Sequence, residues 1–283
     1  VHDGHGMYKS VDGGIQWELT DTGITEAKPA QIGTHPILPF NVWVGGESGR
    51  GNLFSPDGGH SWLFSPSITS HYPMVYAFNH ELPTVIYATG WLRTGELTAS
   101  TDDGASWYTL THKLNQGLSS KTKELGLRGE GPTDFHIHGL AVSPSDPNVI
   151  YVGGGEKTLR GNVSSGYGVW KTEDGGKTWA TAGLEKSRHV PRLRVHPTDY
   201  NTVYAAVLGN IYKPTQERGV YKSTDGGKSW ERKLFSNKNA GAVDLVMDPN
   251  NPRILYASTW NVRRTPYSLS SGGKGSALWK STD

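Results

Sequence analysis

One short string recurs along the chain and limits what it can fold into. It reads KSVDGGIQW ending at Trp17, FSPDGGHSW at Trp62, ASTDDGASW at Trp107, KTEDGGKTW at Trp179 and KSTDGGKSW at Trp230, with a last KSTD at the end of the sequence. Counted from the first hydroxyl residue of each copy, at 10, 55, 100, 172, 223 and 281, the intervals are 45, 45, 72, 51 and 58 residues. Periods of this length with insertions belong to propeller-like arrays. Around each copy the strand signals keep one order: an alternating run ending at Pro, a β-branched run such as NVIYVGG, then GVWKT, the string itself, and WATAG. That predicts four strands per unit, with Pro and Asx residues marking the tight turn between the first two. The fold class expected is therefore all-β, a β-propeller of four-stranded antiparallel blades forming one domain over 1–283.

Composition agrees where it bears on this. The 283 residues include 37 Gly, 10 Trp and 13 Tyr, a mix suited to short strands and tight turns rather than helices. The formal charge of +2 gives no whole-molecule field for nucleic acid, so no nucleic-acid partner is expected. The absence of cysteine removes disulfides, thiolate zinc sites and cysteine nucleophiles. No apolar run reaches membrane-spanning length, so no membrane span is expected.

Within the repeated string a short carboxylate in a turn can accept backbone N–H bonds, and the glycines supply positive φ. Asp12, Asp57, Asp102, Asp174 and Asp225 read as turn formers. Trp17, Trp62, Trp107, Trp179 and Trp230 read as the start of the outer strand, packed between neighbouring blades with the indole N–H reaching a carbonyl. A phosphate loop fails on spacing, because the glycine it needs five residues before Gly227 is Lys222.

These residues resemble the BNR or Asp-box repeat, S-x-D-x-G-x-[ST]-W, of sialidases, sortilin ectodomains and bacterial exported propellers often described as glycosyl hydrolases. The resemblance spans the chain and is tightest after about Leu140. It implies an exported carbohydrate-active propeller, secreted or periplasmic, and as an enzyme a glycoside hydrolase acting on an acidic or complex glycan. The alternative it implies is a non-catalytic, sortilin-like propeller that binds or scaffolds a protein or peptide. The sialidase catalytic set has no matching positions in this sequence. With the N-terminus just before a third strand and the C-terminus inside a sixth box, the expected count is two strands, four full units and three further strands. Five to eight blades, in a chain cut from a larger propeller, are expected.

In each blade the boxes and the turns between strands one and two fall on one face, and the remaining connections on the other. The long insertions, Thr111 to Pro132, Glu156 to Tyr167, Asn210 to Gly219 and Asn261 to Ser276, all belong to the second face, where binding usually resides. There the carboxylates Glu156 and Glu217, with Asp134 third, form the candidate catalytic set for cleaving a sugar bond. Arg160, Arg188, Arg218, Arg263 and Arg264 are candidate ligand-binding residues, joined by Arg192 and by Tyr212 and Trp260, whose rings can stack on sugars or anchor loops. In DFHIHG, Asp134, His136 and His138 alternate, which places them on one side of a strand. His136 and His138 are thus candidate metal ligands for Zn, Cu or Ni, with hydrogen-bonded structural histidines as the alternative; no other cofactor is expected.

Overall fold

The computed structural model describes residues 7–24, 29–46, 52–65, 73–90, 97–124, 136–156, 163 and 165–282. They divide into two compact units, residues 1–92 with 96–109, and residues 93–95 with 110–283. In the first unit β1 (Tyr8–Lys9) and β2 (Glu18–Leu19) form a two-stranded hairpin across a box. Two four-stranded antiparallel sheets follow in sequence order. One holds β3 (Pro29–Thr34), β4 (Val42–Gly46), β5 (Asn52–Ser55) and β6 (Leu63–Ser65); the other holds β7 (Pro73–Phe78), β8 (Ile86–Gly90), β9 (Leu97–Ser100) and β10 (Tyr108–Thr109).

The second unit begins with a helix, α1 (Thr111–Glu124). Its first full blade is β11 (Ile137–Val142), β12 (Ile150–Gly154), β13 (Val169–Thr172) and β14 (Ala180–Thr181), and the next is β15 (Arg192–Val195), β16 (Val203–Val207), β17 (Gly219–Ser223) and β18 (Glu231–Leu234). The last sheet holds β19 (Ala240–Met247), β20 (Leu255–Arg264), β21 (Leu269–Ser271) and β22 (Ala277–Ser281), with β19, β21 and β22 all pairing with the long β20. All pairings are antiparallel between strands adjacent in sequence or around one hairpin, as in stacked propeller blades.

Every residue of β8, β12 and β16, the second strands of their blades, is buried. Continuous β-branched and aromatic runs suit that position, since both faces meet neighbouring blades. The core between the two full blades of the second unit joins Tyr151 and Val169 of one to Leu193, Val203 and Ala205 of the other.

Two segments expected as irregular insertions are ordered instead. Residues 111–124 are helical, tethered by the buried Leu110 and Leu114, and Gly117 lies so close to the Trp179 carbonyl that a Cβ would stand 2.9 Å from it. Residues 125–135 lie outside the described residues. Within Asn261 to Ser276, β20 runs on to Arg264 and turns back into β21 through the bond from Ser268 N to Thr265 Oγ1 at 2.9 Å, adding a strand to the three expected.

Each box is closed by its own side chains. At the fifth, Asp225 Oδ1 accepts from Ser223 Oγ at 2.8 Å and Ser229 N at 2.9 Å, and its Oδ2 accepts from Ser229 Oγ at 2.6 Å. These bonds hold the Asp225 carboxyl down at about 2, Ser229 contributing most. The chain passes the turn at Gly226 and Gly227 with φ of 74° and 92°, values that favour glycine. In the four full blades the box also ties to the turn between the first two strands: Gly58 N donates to Phe40 O, Asp103 N to Thr84 O, Gly175 N to Asn148 O and Gly226 N to Asn201 O.

The tryptophans differ. Trp62 Nε1 donates to Thr20 O at 2.9 Å and Trp230 Nε1 to Ala182 O at 2.8 Å, each reaching the preceding box hairpin. Trp17, Trp107 and Trp179 donate within their own turns, to Gly14, Gly104 and Gly176.

Candidate functional site

With the boxes tied to the turns between strands one and two, the opposite strand ends carry the remaining connections. In the second unit these ends converge. Gly155 N donates to His136 O at 2.8 Å, Val190 N to Gly154 O at 2.9 Å and Leu208 N to His189 O at 2.9 Å. The start of β11, the end of β12, the link from β14 to β15 and the end of β16 are thereby laced together. Gly155 makes this possible: at φ 95° it faces Arg188 O and His189 Nδ1 where a Cβ would collide.

Glu156, fully buried, places Oε1 3.3 Å from His136 Nε2, itself buried. His189 is also fully buried, and neither ring nitrogen has a hydrogen-bond partner of good geometry. Burial pushes its pKa down to about 3, helped by the charges of Arg188 and Arg218 and opposed by the Glu156 carbonyl. It is a neutral imidazole at physiological pH.

Arg218, at 1% exposure, directs Nη2 to Asn210 O at 2.6 Å, while its Nε and Nη1 lack partners. Burial lowers its pKa to about 10, with Glu217 opposing, so it stays charged. Thr215 Oγ1 is buried without a partner as well. A buried donor left unmade costs about 1–3 kcal/mol, so these groups are the costliest polar atoms of this face to bury.

The other expected residues are spread around it. Arg188 is exposed and donates to Ser165 Oγ at 3.2 Å, while Arg192 is held by Asp244 at 2.7 Å. Arg263 is exposed and Arg264 half-buried on β20. Tyr212 anchors a loop, its hydroxyl accepting from Val163 N at 3.1 Å. Trp260 donates to Ser271 Oγ at 3.1 Å and packs on the cluster of Leu208, Ile211 and Val262. Glu217 is half-buried beside Arg218. Asp134 and Arg160 lie outside the described residues.

Of the residues expected to alternate, Asp134 lies outside the described residues, and a bulge falls at His138. The pairing of β11 with β12 shifts register between Ile137 and Gly139, with His138 the extra residue. Similar shifts interrupt β3, β7 and β19 near their starts. Among the described residues no three His, Cys, Asp or Glu side chains group as a metal set. His189 was not among the expected site residues, yet a signal existed: it stands four residues before Leu193 as His136 stands four before Leu140.

The family described as BNR/Asp-box repeat matches residues 221–232, the fifth box. A xyloglucanase of a Paenibacillus species is 25% identical over 166 residues, which cover 51% of this chain and 14% of that protein. Xyloglucanase Xgh74A of Acetivibrio thermocellus is 24% identical over 168 residues, 52% of this chain and 17% of that protein. The chain thus spans less than a fifth of the length of these curated relatives within the matched region. Among solved structures, the GH74 enzyme of Niastella koreensis superposes with a TM-score of 0.62 at 17% identity, covering 92% of this chain and 36% of that one. YCF48 bound to D1 peptide gives 0.55 at 18% identity, covering 98% and 71%. At such identities these structures speak for the fold alone. Repeated box turns, four-stranded antiparallel blades and these likenesses agree that the chain is a β-propeller built of BNR/Asp-box repeats.

Proposed function

We propose that the chain supplies the glycan-recognising face of a carbohydrate-active propeller, a glycoside hydrolase of the xyloglucanase kind, with its site at the strand ends opposite the boxes. The observation that carries this reading is the convergence of Glu156, His136, His189 and Arg218 there, a buried polar cluster with unsatisfied donors. Similarity to two xyloglucanases over half the chain supports the substrate class. In this reading Glu156, being fully buried, positions His136, and the half-buried Glu217 is the carboxylate that meets the sugar, with Asp134 as its partner acid. Arg188, Arg263 and Trp260 line the approach. A neutral branched β-glucan fits better than an acidic glycan, because Arg192 is paired with Asp244 and Arg218 is buried, so neither guanidinium is offered to an acidic group. A polymeric ligand of this kind is met outside the cell membrane, secreted or in the periplasm; among the described residues no helix is long and apolar enough to cross a membrane.

The test is hydrolysis and calorimetric binding with xyloglucan and its oligosaccharides. Glu217→Gln is expected to lower hydrolysis at least about 100-fold while leaving binding nearly unchanged. Hydrolysis untouched by that change overturns the residue assignment. Binding of extended peptides with none of glycans favours the second reading, a peptide-binding propeller, which draws on the likeness to YCF48 in its complex with a peptide.

A further inference from the structure

Arg218 carries a charge that no described residue offsets by pairing with it. At 1% exposure it is one of the largest fully buried side chains, and its hydrogen bonds run from Nη2, to Asn210 O at 2.6 Å and Val262 O at 3.5 Å. Both acceptors are neutral carbonyls. Nε and Nη1 have no partner among the described residues, and the buried hydroxyl Oγ1 of Thr215 has none either. The carboxylates that form ion pairs here are Glu156, Glu173, Asp103, Asp244 and Glu231, each with another base, and Glu217 acts on Arg218 through charge alone. The surroundings add further positive charge. His189 feels both Arg188 and Arg218, and Arg264, whose backbone N donates to Ile211 O, buries an Nε without a partner.

The unpartnered donors share one small space. A Cβ on Gly209, where φ is 73°, would stand 2.7 Å from Arg218 Cγ and 3.1 Å from Thr215 Oγ1, so the arginine stem and the hydroxyl converge over a position that carries no side chain. The walls are apolar. Asn210 and Val262, which supply the two carbonyls, belong to the segments that carry the buried cluster of Leu208, Ile211 and Val262. A guanidinium in such surroundings stays protonated, and burying it unpaired costs far more than burying a neutral donor. Water there would satisfy N–H bonds and leave the charge, whereas an anion satisfies both. A monatomic anion also brings no hydroxyl that would need an acceptor of its own.

We propose that Arg218 Nε and Nη1 together with Thr215 Oγ1 form an internal site for a small monovalent inorganic anion of the chloride type. The ion neutralises Arg218 and thereby ties the connection from β16 to β17 onto β20, whose Val262 carbonyl the same guanidinium meets. An acidic group on a polymer does not reach this site, because the guanidinium is buried. The inference does not depend on the glycan assignment, and its readouts need no glycan.

The experiment is thermal unfolding of the full chain at constant ionic strength, with sodium chloride replacing sodium gluconate up to about 150 mM. The midpoint is expected to rise saturably, by at least about 3 °C, with bromide acting as chloride does. Chloride NMR line broadening reads the bound ion directly. It is expected with the parent protein and lost in Arg218→Met, which keeps the apolar stem and removes the charge. Thr215→Val, a milder change on a half-buried loop residue, keeps the charge and is expected to raise the half-saturating chloride concentration at least about 3-fold, so the proposal stays testable if Arg218→Met does not fold. Equal midpoints in chloride and gluconate assign these donors to water and overturn the proposal. A chloride effect that persists undiminished in Thr215→Val and in Arg218→Met belongs to surface charges and overturns it as well.

Discussion

His189 shows how a single side chain ties the site to stability. It is neutral in the fold because burial and the charges of Arg188 and Arg218 hold its pKa at about 3, against 6.5 in an unfolded chain. Between those values the unfolded chain binds a proton that the folded one refuses, so stability is full above about 6.5 and falls as the pH drops toward 3. At pH 5 the loss from this residue is about 2 kcal/mol. Urea midpoints at pH 7.5 and pH 5 should show it, and His189→Gln should remove that part of the pH dependence. The tryptophans separate by the same logic of surroundings. Trp230 has two carbonyl partners and a buried core around it, whereas Trp17 is 61% exposed and bonds only within its turn. Trp230→Ala should destabilise the second unit by about 3 kcal/mol, and Trp17→Ala should cost less than about 1 kcal/mol in the first, both read from chemical unfolding.

At the level of elements, legibility followed the range of the forces involved. The strands could be read because alternation, β-branched runs and the box are local signals, each set by a few neighbouring residues. Helix α1 could not: THKLNQGLSSKTKE has neither an acidic first turn nor an apolar stripe, and it is held by Leu110, Leu114 and the close approach of Gly117 to Trp179. Strand β21 escaped for a related reason, since its pairing depends on β20 continuing beyond the length of the other second strands. The bulges near the starts of β3, β7, β11 and β19 belong to this class as well. A one-residue shift leaves no mark in composition, yet it breaks the simple period from which a strand's faces are read, as at His138. The candidate site could be read only as a face, because loop length assigns connections to faces. Its members could not be read, because whether Glu156 or Arg218 meets solvent depends on packing between blades.

Across the whole chain the repeat turns a local device into a collective acid response. Asp12, Asp57, Asp102, Asp174 and Asp225 all have pKa values below the ordinary 3.8. For Asp102 and Asp225 the hydroxyl and backbone N–H of the residue four positions on, Ser106 and Ser229, contribute most. At Asp174, burial works the other way and is outweighed by the bonds from Thr178 and Thr172. A depressed carboxyl contributes stability that is complete above about pH 4 and is lost as the pH falls through its folded value. With five boxes titrating in the same window, both units should lose structure steeply between about pH 4 and pH 2 when followed by far-UV circular dichroism. Protonating carboxylates on a chain of net charge +2 adds positive self-repulsion in the same direction. Asp225→Asn separates the two contributions. Its amide nitrogen cannot accept from Ser229 Oγ, so the variant should be less stable than the parent at pH 7. Below pH 2 the parent's own Asp225 is protonated and has lost that advantage, so the two proteins should converge. A difference that persists unchanged at pH 2 would show that the box holds its turn by shape and not by charge.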